Sequence, residues 1–247
     1  MITDMNKLLI VLSFLLGPIF LFQSCTDKSL EHYEKGVEYF DNKNYQDAIN
    51  EFDLAIELEE NYTDAYYKSG ISKINTGDYQ SAIEDFNKVI ELAPENIFVL
   101  VYRGDAFRIL GDYKSAIADY STILDINPDH FQAKFNRGLA RNMSGDYKNA
   151  IVDFNSIIDH SADNAASYNH RAYSKLKLGM LNEALVDVNK TIKLFNQDPL
   201  AYRNRALIYL EMDSLSEACL NLTFATDMGF EEKFGNEVND LYNANCR

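Results

Sequence analysis

Between residues 29 and 232 the apolar and polar positions keep a beat of 34 residues. Tyr66, Gly70, Gly77, Ala82 and Phe86 are answered one beat on by Gly104, Gly111, Ala116 and Tyr120, and two beats on by Gly138, Gly145, Ala150 and Phe154. Ala82, Ile83, Phe86 and Ile90 are 1, 3 and 4 residues apart, the apolar face of a helix. Pro94 and Pro128 end the helices that precede them. Ahead of each such helix stands a turn, written Gly-Asp-Tyr at 77–79, 111–113 and 145–147, where glycine can take the left-handed conformation that closes an earlier helix. The pattern predicts two helices per beat.

Small residues mark where the two helices meet. Gly36, Gly70, Gly104, Gly138, Ala172 and Ala206 each lie twelve residues before an alanine, namely Ala48, Ala82, Ala116, Ala150, Ala184 and Ala218. A larger side chain at such a contact would overpack it. Six units fit without a gap, at 29–62, 63–96, 97–130, 131–164, 165–198 and 199–232. A fixed period of this length predicts a solenoid, in which each unit leaves an apolar face that its neighbour buries and the two ends need covering. Phe234, Val238, Leu241 and Tyr242 form one helical stripe, so the sequence predicts a capping helix within 233–247, entered by a turn at Gly229. The first unit, with Glu31, Glu34, Lys35 and Glu38, is expected to cap the other end itself.

The pattern over 29–232 resembles the tetratricopeptide repeat. That resemblance implies an all-α, right-handed superhelical solenoid of antiparallel helix pairs, working as a non-enzymatic scaffold that holds protein or peptide partners. Departures sit mostly at the ends: Lys43, Asn44 and Tyr45 replace the usual turn in the first unit, and Asp213, Ser214 and Leu215 replace it in the sixth. Tyr66, Tyr168 and Tyr202 stand where the family carries tryptophan, and the closing proline occurs only in the second and third units.

The first 24 residues read as a signal peptide. Leu8 to Phe22 is an apolar run of 15, short for a membrane span and suited to a secretory leader. Asp4 is unusual in such a leader, and a start at Met5 would remove it. The run ends at Leu21, Phe22, Gln23, Ser24 and Cys25, which resembles a bacterial lipoprotein signal and implies lipidation of Cys25. Ordinary secretion and a retained anchor helix are the alternatives. Residues 25–28 would then be the lipid-anchored linker. Three fatty chains would hold the protein firmly to a bilayer, because one chain binds only marginally. The expected location is the bacterial envelope, facing the periplasm or the cell surface.

Composition narrows the partners. The formal charge of −15 is carried entirely after the leader, since Asp4 and Lys7 cancel. Such a balance argues against nucleic acid, whose phosphates require a basic track. With Cys25 lipidated, Cys219 and Cys246 remain as an even pair in an oxidising compartment, either bonded to staple the capping helix or left as two thiols. Arg103, Arg137, Arg171 and Arg205 recur one beat apart, with Asp119, Asp153 and Asp187 sixteen residues after the first three and Asn221 after the fourth. An opposite charge at three of the four steps favours internal pairs over a partner-binding row.

In the resembling family the concave wall is made by the first helices. Here that wall would hold Tyr33, Val37, Phe40, Tyr67, Ile71, Ile74, Phe98, Val101, Phe135, Leu139, Tyr173, Leu176, Leu207 and Leu210. A long apolar stripe of this kind points to a partner, though aromatic residues at some of these places also serve as packing. Asn136, His170 and Asn204, with Asn169 and Arg203 beside them, form a polar row next to the wall. Side-chain amides there either bond an extended peptide or satisfy local backbone. The family's carboxylate-gripping lysine and asparagine are missing, as Tyr33 and Val37, Tyr67 and Ile71, and Val101 and Asp105 occupy their places. No metal or cofactor is expected, since His32, His130, His160 and His170 are scattered and no glycine-rich phosphate loop occurs. The expected function is a lipid-anchored adaptor, with a structural subunit of an envelope assembly, using its outer face or ends, as the second reading.

Overall fold

The computed structural model describes residues 28–246. The apolar run at 8–22 and Cys25 lie outside these residues. The described residues are helical throughout, without a strand, and fall into two compact units that divide after Asp112. The first contains α1 (28–41), α2 (Tyr45–Leu58), α3 (Thr63–Thr76), α4 (Tyr79–Leu92) and α5 (Val99–Ile109). The second contains α6 (Tyr113–Ile126), α7 (Phe131–Ser144), α8 (Tyr147–His160), α9 (Ala165–Lys177), α10 (Leu181–Leu194), α11 (Pro199–Glu211), α12 (Leu215–Asp227), α13 (Phe230–Phe234) and α14 (Glu237–Asn245). From α2 to α5, and again from α6 to α12, each helix packs on the one before and the one after it, so each unit is a stack of helix pairs. No helix among the described residues is long and apolar enough to cross a membrane.

The turns follow from backbone chemistry. Gly77 and Gly145 stand at φ 86° and 84°, and the amide after each returns to a carbonyl of the preceding helix, 2.9 Å for Asp78 to Lys73 and 2.8 Å for Asp146 to Arg141. The first and sixth units lack that glycine yet keep the geometry. Lys43 and Asp213 take its place at φ 61° and 55°, a region that L residues enter at a cost of roughly 1–2 kcal/mol.

The contact between paired helices obeys a volume rule. A Cβ at Gly36, Gly70 or Gly138 would stand 2.5, 2.6 or 2.8 Å from the ring of Phe52, Phe86 or Phe154, all fully buried. In the α9–α10 pair the small residue is Ala172 and the residue sixteen later is Val188; in α11–α12 the two are Ala206 and Leu222. Where the small residue gains a methyl, its partner shrinks, which keeps the core at native density.

Between residues 231 and 245 the chain forms two helices rather than the single capping helix the stripe suggests. Gly235 breaks it at φ 87°, ψ −170°, a conformation closed to L residues. Val238 of α14 is buried with Phe230, Leu222, Ala225 and Tyr202, and Leu241 packs beside them. Phe234 and Tyr242, by contrast, stay 48% and 37% exposed. A disulfide joins Cys219 of α12 to Cys246 just beyond α14, with Cα atoms 5.6 Å apart.

The arginine row is structural. Arg137 grips Asp153 through Nε at 3.2 Å and Nη2 at 2.7 Å, and Arg141 adds a third bond at 2.6 Å. Arg171 and Lys175 hold Asp187 in the same way, at 2.7, 2.6 and 2.6 Å. The remaining guanidinium nitrogen reaches back to the second helix of the preceding pair, from Arg137 to Ser121 and from Arg171 to Asn155. Arg205 spans Asn221 and Asn189, and Arg103 reaches Asn87 at 2.7 Å. Arg137, Arg171 and Arg205 thus each tie two helices of their own pair to the pair before it.

Candidate binding groove

The first helix of each pair presents one face to its partner, one to the neighbouring pairs, and one to solvent. In the unit ending at Asp112 that solvent-side wall comes from α1, α3 and α5. Tyr33 lies 5.0 Å from the Tyr62 ring and 5.8 Å from Phe52, so one side of it is packing and the other is open. The Lys68 ammonium sits 4.5 Å above the Phe40 ring. Tyr67 meets Tyr102 edge-on at 5.9 Å. Burial, reinforced by a hydrogen bond with Tyr102, pushes the Tyr67 phenol up to about 12. Val37, Ile71, Ile74 and Val101 are half-buried, and Phe98 is 67% exposed at the start of α5.

In the second unit the wall comes from α7, α9 and α11. Phe135 packs edge-on against Phe154 at 5.9 Å and His170 at 5.5 Å. Leu139 leans on the same cluster, over Ala150, Phe154 and Ile157. Tyr173 carries two cations near its ring, Lys177 at 5.4 Å and Arg203 at 5.6 Å. Leu207 is half-buried beside Leu176, and with Lys177, Gly179 and Glu211 they line a cavity of about 350 Å³. A second cavity, of about 260 Å³, opens between Phe131, Gln132, Phe135, Ile157, Asn164 and Ala166.

The polar row next to the wall belongs to the interior. Asn136, Asn169 and Asn204 are 4%, 2% and 4% exposed. Asn204 donates to the Asn169 carbonyl oxygen at 2.8 Å, Asn169 donates to Asp198 at 3.3 Å, and Arg203 donates to Asn204 at 2.8 Å. Asn136 accepts from Gln132 at 2.8 Å. These amides join α9 to α11 and brace the start of α7 instead of facing a peptide. The cause is helical geometry: one residue further along turns the side chain by about 100°, from the wall into the seam between first helices. His170 shares the seam, stacked on Phe154 at 5.9 Å, and burial holds its imidazole down at about 4, so it is neutral at physiological pH. Asn142, absent from the sequence-based row, bonds the His170 carbonyl at 3.1 Å and accepts from Ser174 at 2.6 Å.

Arg203 ends the wall differently. Its guanidinium pairs with Glu237 of α14, 34 residues later. The other histidines have separate local duties. His32 contacts Glu51 at 2.6 Å, and His130 accepts the Ala133 amide at the start of α7. Among the described residues no three His, Cys, Asp or Glu side chains gather as a metal site.

Residues 32–62 and 63–96 match a family model described as tetratricopeptide repeat, and residues 104–145 match another described as TPR repeat. No curated protein matches the chain in sequence. Among solved structures, the chain is similar to a tetratricopeptide repeat protein from Parabacteroides merdae, with 21% identity, a TM-score of 0.65, and 86% of this chain and 83% of that one covered. It is similar to YrrB, described as a TPR protein with an unusual peptide-binding site, at 18% identity and TM-score 0.65, over 73% of this chain and 95% of that one. It is also similar to MamA from Desulfovibrio magneticus RS-1, at 16% identity and TM-score 0.63, over 69% and 97%. Tetratricopeptide repeats are therefore present over residues 32–96 and 104–145, within a fold shared with solved tetratricopeptide-repeat proteins.

Proposed function

We propose that this chain is a non-enzymatic scaffold, held to a bacterial envelope membrane by lipid on Cys25, that binds an apolar or mixed peptide segment of a protein partner along the wall of its first helices. The reading rests most on one observation. In a chain of formal charge −15, Tyr33, Tyr67, Val101, Phe135, Leu139 and Leu207 are all uncharged and only half-buried. Apolar surface kept open in this way is the usual mark of a partner site. The YrrB description, a peptide-binding site on the same fold, is in keeping with it. Six repeats followed by a helical cap, the division stated from the sequence, is the organisation this reading assumes.

Affinity capture from detergent-solubilised membranes, with the partner identified by mass spectrometry, tests the groove. Tyr67→Ala combined with Phe135→Ala is expected to remove the captured partner. Unchanged capture by that variant, with loss on removal of residues 231–247, would favour the second reading, an assembly subunit using its outer face or ends. The mass of the mature amino terminus tests the anchor: a lipid-bearing Cys25 is expected, and an unmodified terminus would end that part of the proposal.

A further inference from the structure

The cavity between α7 and the start of α9 has a composition that selects its occupant. Its lining residues, Phe131, Gln132, Phe135, Ile157, Asn164 and Ala166, carry no formal charge, although the chain as a whole stands at −15. Its floor is rigid, because Phe135 is wedged between Phe154 and His170. Phe131, 47% exposed, stands at the rim edge-on to His160 at 5.9 Å. Ala166, at its edge, is small: the second place of the other expected units holds Leu30, Asp64, Phe98, Gln132 and Leu200, each with a larger side chain that would narrow the opening.

Two polar groups at the rim have capacity in hand. Gln132 uses its amide N–H on Asn136, which leaves its Oε1 as an acceptor. Asn164 uses its Oδ1 to accept the Ser167 amide at 2.9 Å, which leaves its Nδ2 as a donor. One acceptor and one donor beside an apolar hole match the N–H and C=O that flank a side chain in an extended peptide. The volume suits one large side chain. About 260 Å³ lies below the roughly 300–1,000 Å³ of ordinary ligand pockets, and above the roughly 150 Å³ that admits a benzene ring.

We propose that this cavity is an anchor pocket for one large uncharged apolar side chain, leucine-like or aromatic, of an extended peptide whose adjoining amide groups bond Gln132 and Asn164. The proposal rests on the groove reading and adds its specificity: a charged or very small residue at the anchor position is rejected. Phe135 forms the floor, Phe131 the wall, and Ala166 sets the depth.

The test uses the full chain, isotopically labelled and purified in detergent, with N-acetyl-leucine N-methylamide as the probe. Backbone amide resonances of Gln132, Ala166 and their neighbours are expected to shift with the leucine probe and to stay still with the matching glycine and lysine compounds. Ala166→Leu, a change at an exposed helical position, is expected to abolish the shift while leaving the helical circular dichroism intact. No shift in the unaltered chain, an equal shift with the lysine compound, or persistence in Ala166→Leu overturns the pocket. A dodecapeptide library selected on the full chain separates the two levels. Peptides weakened about tenfold or more by Ala166→Leu support the anchor. Peptides that lose binding in Tyr67→Ala with Tyr173→Ala but bind Ala166→Leu unchanged leave the groove standing and overturn the pocket. A library without binders, alongside a seated leucine probe, overturns the groove and supports the pocket.

Discussion

The pairs α7–α8 and α9–α10 perform the same packing with different residues. In the first, Gly138 lies under Phe154 and Asp153 is held by Arg137 and Arg141. In the second, Ala172 shares a core cluster with Val188, and Asp187 is held by Arg171 and Lys175. The core contact exchanges one volume for another, while the buried carboxylate and its two cations stay. Apolar contacts are non-directional and need only a filled space. A buried charge needs its particular partners, and losing them is far more costly than a repacked methyl.

The largest effect should therefore come from the carboxylates. Asp153→Ala leaves two partly buried cations facing no anion and is expected to lower stability by about 3–5 kcal/mol. Asp187→Ala should cost a similar amount despite its different core neighbours. Urea unfolding followed by circular dichroism checks both. A loss under 1 kcal/mol in either would mean that the ion cluster is screened surface and that the two pairs are held by their cores alone.

Core volume ranks next and is where the pairs should part. Gly138→Ala is expected to cost about 1–3 kcal/mol, because the new methyl meets the Phe154 ring. Adding Phe154→Val, which reproduces the combination at Ala172 and Val188, should recover much of that loss. Ala172→Gly has no ring to relieve and should cost about 1 kcal/mol through helix propensity and the lost methyl. Additive losses in the Gly138→Ala, Phe154→Val double variant would break the volume rule.

The scaffold was legible because its signals are small residues and turns at one spacing, which few other constraints produce. Gly70 as a close helix contact, and Arg137 with Asp153, follow from the beat, whereas the ring that covers Gly70, that of Phe86 rather than the alanine at 82, came only with the structure. The wall was only partly legible. Asn136 and Asn204 differ from wall residues by a single helical position, and sequence alone does not say which rotation faces the seam. The break at Gly235 was hidden because the stripe Phe234, Val238, Leu241 and Tyr242 ignores the glycine inside it. The cavity at Ala166 escaped because its edge is marked by a small side chain, which a search for chemistry-bearing residues passes over.

The seam between these two pairs offers a third test, through pH. His170 stacks on Phe154 of one pair from its place in the other, and burial lowers its folded value from 6.5 to about 4. A histidine held neutral binds fewer protons folded than unfolded, so its contribution is complete above pH 6.5 and is lost as pH falls toward 4. At pH 5 the loss should be about 1–2 kcal/mol relative to pH 7. His170→Phe keeps the ring contact and should flatten that part of the stability profile. A profile unchanged by the substitution would show that acid acts elsewhere in the stack.

The smallest expected effect compares turns. Gly145 closes α7 at φ 84°, whereas Asp213 does the same work after α11 at φ 55° with a side chain that disfavours it. Asp213→Gly removes the steric cost of roughly 1–2 kcal/mol but adds backbone entropy to the unfolded chain, worth about 0.5–1 kcal/mol in the other direction. The net expectation is a gain of about 0.5–1 kcal/mol, read as a higher urea midpoint at unchanged slope. Gly145→Asp should show the mirror-image loss, since no Cβ contact lies within 4 Å of Gly145 and only the backbone angle opposes it. If Gly145→Asp is costly while Asp213→Gly brings no gain, aspartate has found local bonding in the α11–α12 turn that the α7–α8 turn does not offer, and the two turns are not equivalent.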